Sequence, residues 1–297
     1  MKQYRTIVIL LGVLLILGGI ATWDEWMTEK EASEEEAKNK IAPFAASDVT
    51  KITYVNRKPA SGEENEDQGP TTFEIEKQGE DWQIIRPVTA KADDETVLSF
   101  LTTIADYKYE RVAKEGQSSW AEFGLQEPAK EITLTFQKDG SPQTFSVAIG
   151  EKAAVGYSVY FRTSSSESVL MGSQYLLVST AKTLHDFRDK RLTYTTQNDI
   201  ASFSYQRKGV EGFRLERQDG KFQLVSPQTF DTDHNAAMDF LGDVFGIKVT
   251  EYFDDPKPEL QKLFQDPGIT LTWTTKTGES SQLQMLYDEG KYYASFN

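Results

Sequence analysis

Two clusters of acidic residues are the places where this sequence comes nearest to metal-binding chemistry. They are, in chain order, Asp93, Asp94, Glu95, Asp231, Asp233 and His234. Carboxylate and imidazole groups are common metal ligands. Each cluster, however, directly precedes a segment with helical periodicity, where Asp is a preferred N-cap and further acids favour the helix dipole. The sequence therefore predicts helix caps at both places and no metal site.

Nucleophilic catalysis needs a base close to a hydroxyl or thiol, and the candidates are few. The chain has 2 histidines, His185 and His234, neither near a Gly-x-Ser-x-Gly turn, and it has 0 cysteines. No glycine-rich phosphate loop or dinucleotide fingerprint is present, so no cofactor is predicted. The 46 acidic residues still allow a carboxylate pair that hydrolyses glycosidic bonds. An envelope hydrolase of that kind therefore remains an alternative to a non-catalytic protein.

The most distinctive polar string covers residues 185–192, in which Arg188, Asp189, Lys190 and Arg191 follow one another. Arg188 and Asp189 could form an ion pair between two halves of the chain, or the basic residues could receive an acidic partner. We favour the structural role. The net charge of −14 argues against nucleic acid as a partner, because phosphate binding needs clustered Lys and Arg.

Residues 6–23 form an uncharged hydrophobic run, and this run predicts where in the cell the rest of the chain lies. A helix of that length nearly spans the hydrocarbon core of a bilayer. Lys2 and Arg5 precede the run and Asp24 and Glu25 follow it, so the positive-inside rule puts residues 1–5 in the cytoplasm. We expect a single-pass protein of the cell membrane, held through residues 6–23, whose body is extracytoplasmic.

A cleaved signal peptide is the competing interpretation of the same run. Gly19 and Ala21 have the small-x-small spacing that signal peptidase accepts. We favour the uncleaved anchor, because the run is long for a signal sequence. Residues 24–44 then form an acidic linker.

The rest of the chain carries one unit twice. Residues 73–101 align with residues 213–241 at a constant offset of 140, with nine of 29 positions identical. Such repetition predicts two copies of one structural unit. We place repeat unit 1, with a bridging helix, at residues 45–192 and a shorter repeat unit 2 at residues 193–297.

Each copy shows alternating apolar residues around a turn, followed by helical spacing. The alternation predicts a β-hairpin, and Val97, Phe100, Leu101 and Ile104 predict a helix with one apolar face. The fold class is therefore α+β: two tandem repeats, each an antiparallel sheet with a helix packed on one face, after one N-terminal transmembrane helix. Only the first copy continues into a closing strand at 168–171 and a helical stretch at 174–187.

Four motifs, in this order and spacing, resemble domain-of-unknown-function family 4340, a family of bacterial proteins with an N-terminal membrane segment. They are Trp82 to Pro87, Ala92-Asp93, Phe123 to Pro128, and Phe187 to Leu192. The resemblance covers roughly residues 45–297. It implies no catalytic residues, and it implies companionship with gliding-motility-type ABC transport systems.

The function that we expect is therefore that of a non-catalytic, membrane-anchored accessory or scaffold protein that binds another envelope or transporter protein. A solute-binding component, with a deep pocket between the two units, is a further alternative beside the hydrolase. The sequence leaves open whether a partner completes the edge of the sheet in the second copy.

Overall fold

The computed structural model describes residues 39–57, 71–154, 156–256 and 258–296. The predicted transmembrane helix at 6–23 and most of the linker lie outside these ranges. Within them, no helix has the length and apolar character needed to cross a membrane. The chain divides into two compact units, the first ending at Arg188 and the second beginning at Asp189.

Unit 1 is built on one antiparallel sheet of nine strands, in the order β4-β3-β2-β1-β6-β7-β8-β9-β5. The strands are β1 (Val49–Asn56), β2 (Thr71–Gln78), β3 (Asp81–Arg86), β4 (Ala90–Lys91), β5 (Arg111–Lys114), β6 (Lys130–Lys138), β7 (Ser141–Lys152), β8 (Ser158–Thr163) and β9 (Val169–Ser173). Two 3-10 turns, Ala46–Asp48 and Gln117–Phe123, precede β1 and β6.

In the described part of unit 1, three helices accompany this sheet: α1 (Asp94–Ala105), α2 (Tyr175–Ser179) and α3 (Leu184–Phe187). The apolar face of α1 predicted from its spacing is buried in the unit's core. The predicted helix at 174–187 is instead two short ones. Thr183 begins the second, since its side chain accepts from the Asp186 backbone while Asp186 accepts from the Thr183 backbone.

Unit 2 contains a second antiparallel sheet, of seven strands, in the order β13-β12-β11-β10-β14-β15-β16. Its strands are β10 (Ile200–Arg207), β11 (Val210–Gln218), β12 (Lys221–Ser226), β13 (Phe230–Asp231), β14 (Ile269–Thr275), β15 (Ser280–Asp288) and β16 (Lys291–Phe296). Its helices are α4 (His234–Phe245) and α5 (Pro258–Leu263). With two antiparallel sheets and a few helices, the fold class is α+β as predicted.

The two sheets share an order: the sequence β4-β3-β2-β1-β6-β7-β8 in unit 1 matches the whole sheet of unit 2, strand for strand. Unit 1 then adds β9 and β5 beyond β8. Among the described residues, 25 buried apolar side chains form the core of unit 1 and 10 form that of unit 2. Unit 2 therefore has much the smaller apolar core.

The acidic clusters cap helices, as the sequence predicts. Asp93 Oδ1 accepts from the Thr96 amide at 2.7 Å, and Asp233 Oδ1 accepts from the Asn235 and Ala236 amides at 2.9 and 3.2 Å. The described residues contain no group of three His, Cys, Asp or Glu side chains arranged to hold a metal ion.

The residues after the two caps have a second role that the sequence did not suggest. Asp94 Oδ1 accepts from the backbone N–H of Trp82 at 2.9 Å, and His234 Nδ1 accepts from that of Phe222 at 3.3 Å. An imidazole and a carboxylate thus serve as acceptors for the same position of the preceding hairpin.

Substitution of His234 tests this equivalence. His234→Ala leaves the Phe222 amide without its acceptor, and we expect it to lower the free energy of unfolding by about 1 kcal/mol. His234→Asp supplies the acceptor found in unit 1 and should retain most of that stability. Urea unfolding of the two variants measures the difference; an equal loss in both would contradict the shared role.

Candidate functional site

The segment singled out from the sequence is centred on a buried carboxylate. Asp189 is 6% exposed, and its oxygens accept from Arg191 Nε at 3.1 Å, Arg191 Nη2 at 2.6 Å and the Tyr194 hydroxyl at 2.6 Å. Burial by itself would raise the pKa of this carboxyl, but the hydrogen bonds from Arg191 and Tyr194 outweigh burial and lower the pKa to about 2. The carboxylate is therefore ionised across the physiological range.

The neighbouring residues of the segment pair through their backbones. Arg188 forms a β-bridge with Ala92 in unit 1, and Arg191 forms one with Lys248 in unit 2. The Lys190 carbonyl accepts from the Val249 amide at 2.8 Å. The ion pair that the structure describes for Asp189 is with Arg191, two residues along, at 2.6 Å. These backbone pairs and the ion pair hold residues 188–191 in place.

The other motif residues also have structural roles. Phe187 is fully buried and packs against Phe73 and Phe100, with ring centroids 5.5 and 5.1 Å apart. Gly124 ends the second 3-10 turn at φ 68°, a left-handed conformation that favours glycine. Leu125, which follows it, is fully buried. These contacts explain the motifs through packing and turn geometry.

The surface with the strongest binding character lies at the β16 edge of the second sheet. Tyr287 on β15 and Tyr292 on β16 are 63% and 69% exposed, and their rings lie 4.9 Å apart. Phe296 is 43% exposed and stacks on buried Trp273 at 5.7 Å. Among the described residues, no strand pairs with the outer side of β16. We call Tyr287, Tyr292 and Phe296, with the outer side of β16, the aromatic edge.

Strand register identifies what occupies the same positions in unit 1. Ile132 of β6 and Ile269 of β14 occupy equivalent positions in the two sheets. Ile132 pairs with Val147 of β7, and Ile269 pairs with Met285 of β15. Two residues farther along β7 and β15 come Ile149 and Tyr287. These two residues are therefore counterparts.

Their partners on the next strand are counterparts as well. Ile149 pairs with Phe161 of β8, and Tyr287 pairs with Tyr292 of β16. Ile149 and Phe161 are both 0% exposed. Strand β9 covers them, since Leu170 pairs with Phe161, and Tyr107 packs edge-on to the Phe161 ring at 5.6 Å. Unit 1 thus buries what unit 2 exposes.

A shallow groove of about 730 Å³ is a second candidate surface, beside the exposed side of α1 in unit 1. Leu98 and Tyr175 contribute exposed apolar groups, and the carboxylate of Asp106 at its rim is paired with Lys40. A solute-binding role would use such a surface. Its lining contains none of the residues 188–191.

Part of the aromatic edge could be anticipated from the sequence. The sequence placed Tyr292, Tyr293 and Phe296 close together along the chain. It did not reveal which of these side chains would be exposed, because that depends on the pairing of β16 with β15.

Comparison with known proteins identifies a family without adding an activity. Searches of curated proteins and of solved structures find no match. The family model described as Domain of unknown function (DUF4340) matches residues 82–263, which is more than half of the chain. The match includes the motif residues whose packing is described above and the helices α1 and α4. This chain therefore belongs to the DUF4340 family.

Proposed function

We propose that this protein is a non-catalytic accessory protein, anchored in the cell membrane, whose extracytoplasmic body binds another protein of the bacterial envelope. The aromatic edge is the observation that carries the proposal. Tyr and other aromatic side chains contribute strongly at protein interfaces, since they bury a large area and have few rotatable bonds. Three of them, exposed on one face of one sheet, form an apolar surface suited to a partner.

The comparison between the units supports a binding role rather than a merely irregular surface. We take the units to be two copies of one fold, because their strand orders match and residues 73–101 align with 213–241. In the first copy, β9 and its neighbours cover the positions equivalent to Tyr287 and Tyr292. We propose that in the second copy a partner provides this cover.

The proposed location rests on the sequence of residues 1–25. The hydrophobic run at 6–23, with cations before it and acids after it, supports an anchor whose N-terminus is cytoplasmic. A partner in the same membrane would then be held close to the body, which raises its effective concentration. A component of an ABC-type transport system is the first class of partner to test, since the family resemblance points to it.

Affinity purification of the full-length protein tests the proposal. We expect N-terminally tagged protein, extracted from membranes in mild detergent, to retain a second envelope protein identifiable by mass spectrometry. The double variant Tyr287→Ser, Tyr292→Ser should reduce recovery of that protein by about tenfold or more, which corresponds to about 1.4 kcal/mol.

Tyr157→Ser is the matched control, since Tyr157 is an 88% exposed tyrosine of unit 1. It should leave recovery unchanged. Purification of the wild-type protein without any companion, or equal recovery with the double variant, would reject the proposal.

A further inference from the structure

The turn between β15 and β16 determines which backbone groups the aromatic edge presents. Glu289 and Gly290 form a two-residue loop, with φ values of 46° and 85°. Two consecutive positive φ values are those of a type I′ hairpin, whose flanking residues form a hydrogen-bonded pair. Those flanking residues are Asp288 and Lys291.

Antiparallel pairs alternate between hydrogen-bonded and non-hydrogen-bonded positions along the ladder. Counting from Lys291, Tyr293 and Ser295 direct their N–H and C=O groups toward β15. Tyr292, Ala294 and Phe296 therefore direct theirs outward. The outer side of β16 thus presents three sets of backbone donors and acceptors to a strand that would pair there.

Unit 1 shows how such an edge is completed. Strand β9 pairs antiparallel with β8, including the pairs Val159 with Gly172 and Phe161 with Leu170. Leu170 and Val169 are buried in the same unit. An extended segment therefore supplies both the backbone pairing and the apolar cover at the position equivalent to the aromatic edge.

The side chains of the aromatic edge restrict the sequence of the incoming segment. Tyr287, Tyr292 and Phe296 lie on one face, because the paired positions Tyr287–Tyr292 and Leu283–Phe296 are an even number of residues apart. Leu283 belongs to the unit's core. A strand added to β16 covers this face only if its apolar residues alternate, as those of a strand do.

The charge of this chain favours a different protein, rather than a second copy of the chain, as the partner that pairs with β16. The chain has a net charge of −14, and the acidic pair Asp288 and Glu289 lies at the turn before β16, which itself begins with Lys291. Joining two copies along β16 would bring together two chains of equal negative charge. Lys or Arg residues beside an incoming strand would instead meet opposite charge.

From these observations we infer that β16 receives an extended segment of another protein by strand addition, and that this segment alternates apolar residues and has Lys or Arg beside them. The inference rests on the proposed function and specifies how the partner binds. Main-chain hydrogen bonds provide the pairing, and the aromatic side chains select the apolar positions.

A proline substitution tests the backbone pairing. Ala294→Pro removes an outward N–H of β16 without removing a hydrogen bond to β15, and proline is tolerated on an edge strand when its missing N–H faces outward. We expect recovery of the partner from detergent-solubilised membranes to fall about tenfold or more. Ala294→Val is the matched control and should keep recovery at the wild-type level, because it retains the N–H.

The outcomes separate this inference from the proposed function. If Ala294→Pro recovers the partner as well as wild type while Tyr287→Ser, Tyr292→Ser does not, the partner binds the aromatic edge without strand pairing and the inference is wrong. If wild type recovers no partner, both ideas fail. Thermal unfolding of each purified variant confirms that it is folded. Association of two differently tagged copies through β16, lost in Ala294→Pro, would replace the heterologous partner with a second copy and overturn the inference.

Cross-linking tests the chemistry of the segment. Since the natural chain has 0 cysteines, Ala294→Cys provides a unique thiol at the aromatic edge. We expect a maleimide and succinimidyl ester cross-linker, applied to membranes, to join this thiol to a lysine of the partner. Mass spectrometry should place that lysine beside a stretch of alternating apolar residues. Attachment within a helix or a charged loop without such a stretch would contradict the inference.

Discussion

Replacing Asp189 with asparagine is expected to lower the free energy of unfolding of unit 2 by about 2 kcal/mol near neutral pH. The buried carboxylate holds Arg191 and Tyr194, and these hydrogen bonds lower its pKa to about 2. Because the folded-state pKa lies below that of the unfolded chain, this stabilisation is complete above about pH 4 and is lost as the pH falls through about 2. Urea unfolding of the full-length protein between about pH 3 and pH 6 measures it.

We expect the difference in the free energy of unfolding between wild type and Asp189→Asn to become smaller as the solution becomes more acidic. Hydrogen exchange of the amides of β10 and β14 assigns the loss to unit 2. Asp239→Asn is the control, since Asp239 is an exposed aspartate of α4. It should match wild type within about 0.5 kcal/mol. A pH-independent difference for Asp189→Asn would show that lost packing, rather than lost charge, is responsible.

Replacing Lys130 with methionine is expected to stabilise unit 1, by about 2 to 3 kcal/mol at neutral pH. Lys130 is 4% exposed, and the hydrogen bond described for its ammonium group is a long one, 3.5 Å to the Leu177 carbonyl. Burial lowers the pKa of this lysine to about 8. Methionine has a similar shape and carries no charge that must be removed from water.

The pH dependence of stability that Lys130 causes has the same sign as that of Asp189, but it falls in the alkaline range, because the pKa is lowered by folding in both cases. Between about pH 8 and the ordinary lysine pKa near 10.4, the unfolded chain binds more protons, so the stability of the wild-type protein rises with pH. Lys130→Met removes this rise. Burial also raises the pKa of Tyr54 and Tyr107. The stability that these two tyrosines contribute is lost as the pH rises above the pKa of tyrosine in the unfolded chain. The unfolding measurements should therefore stop at about pH 9.5.

Lys138→Met, at the exposed end of the same strand, provides the comparison. We expect it to unfold as the wild type does at every pH. Destabilisation by Lys130→Met at neutral pH would mean that the bond to the Leu177 carbonyl outweighs the cost of burying the charge.

Much of the local structure follows from the sequence alone. The spacing of Val97, Phe100, Leu101 and Ile104 predicts the buried face of α1, and all four are buried. Asp93 and Asp233 cap their helices because the first-turn amides have no partner within the helix. Hairpins and helix starts depend on neighbouring residues, so they can be inferred from short stretches.

Other features depend on residues far apart and were missed. Strand β5 pairs with β9, more than 50 residues later, and the sequence between them gives no sign of it. Lysine is seldom buried, so residue type gives no sign that Lys130 is 4% exposed. Its ammonium group reaches the carbonyl of Leu177, 47 residues away in the chain. Such non-local contacts are decided by the whole fold.

The sequence by itself determined the negative charge, the missing cysteines, the hydrophobic run at 6–23 and the alignment of 73–101 with 213–241. The tertiary structure alone decided that Asp189 pairs with Arg191 and that His234 accepts from the Phe222 amide. It also decided that Tyr292 is exposed while its counterpart Phe161 is buried. The reason is physical: composition and periodicity are properties of the chain, whereas burial depends on which strand lies alongside, and only unit 1 places β9 there.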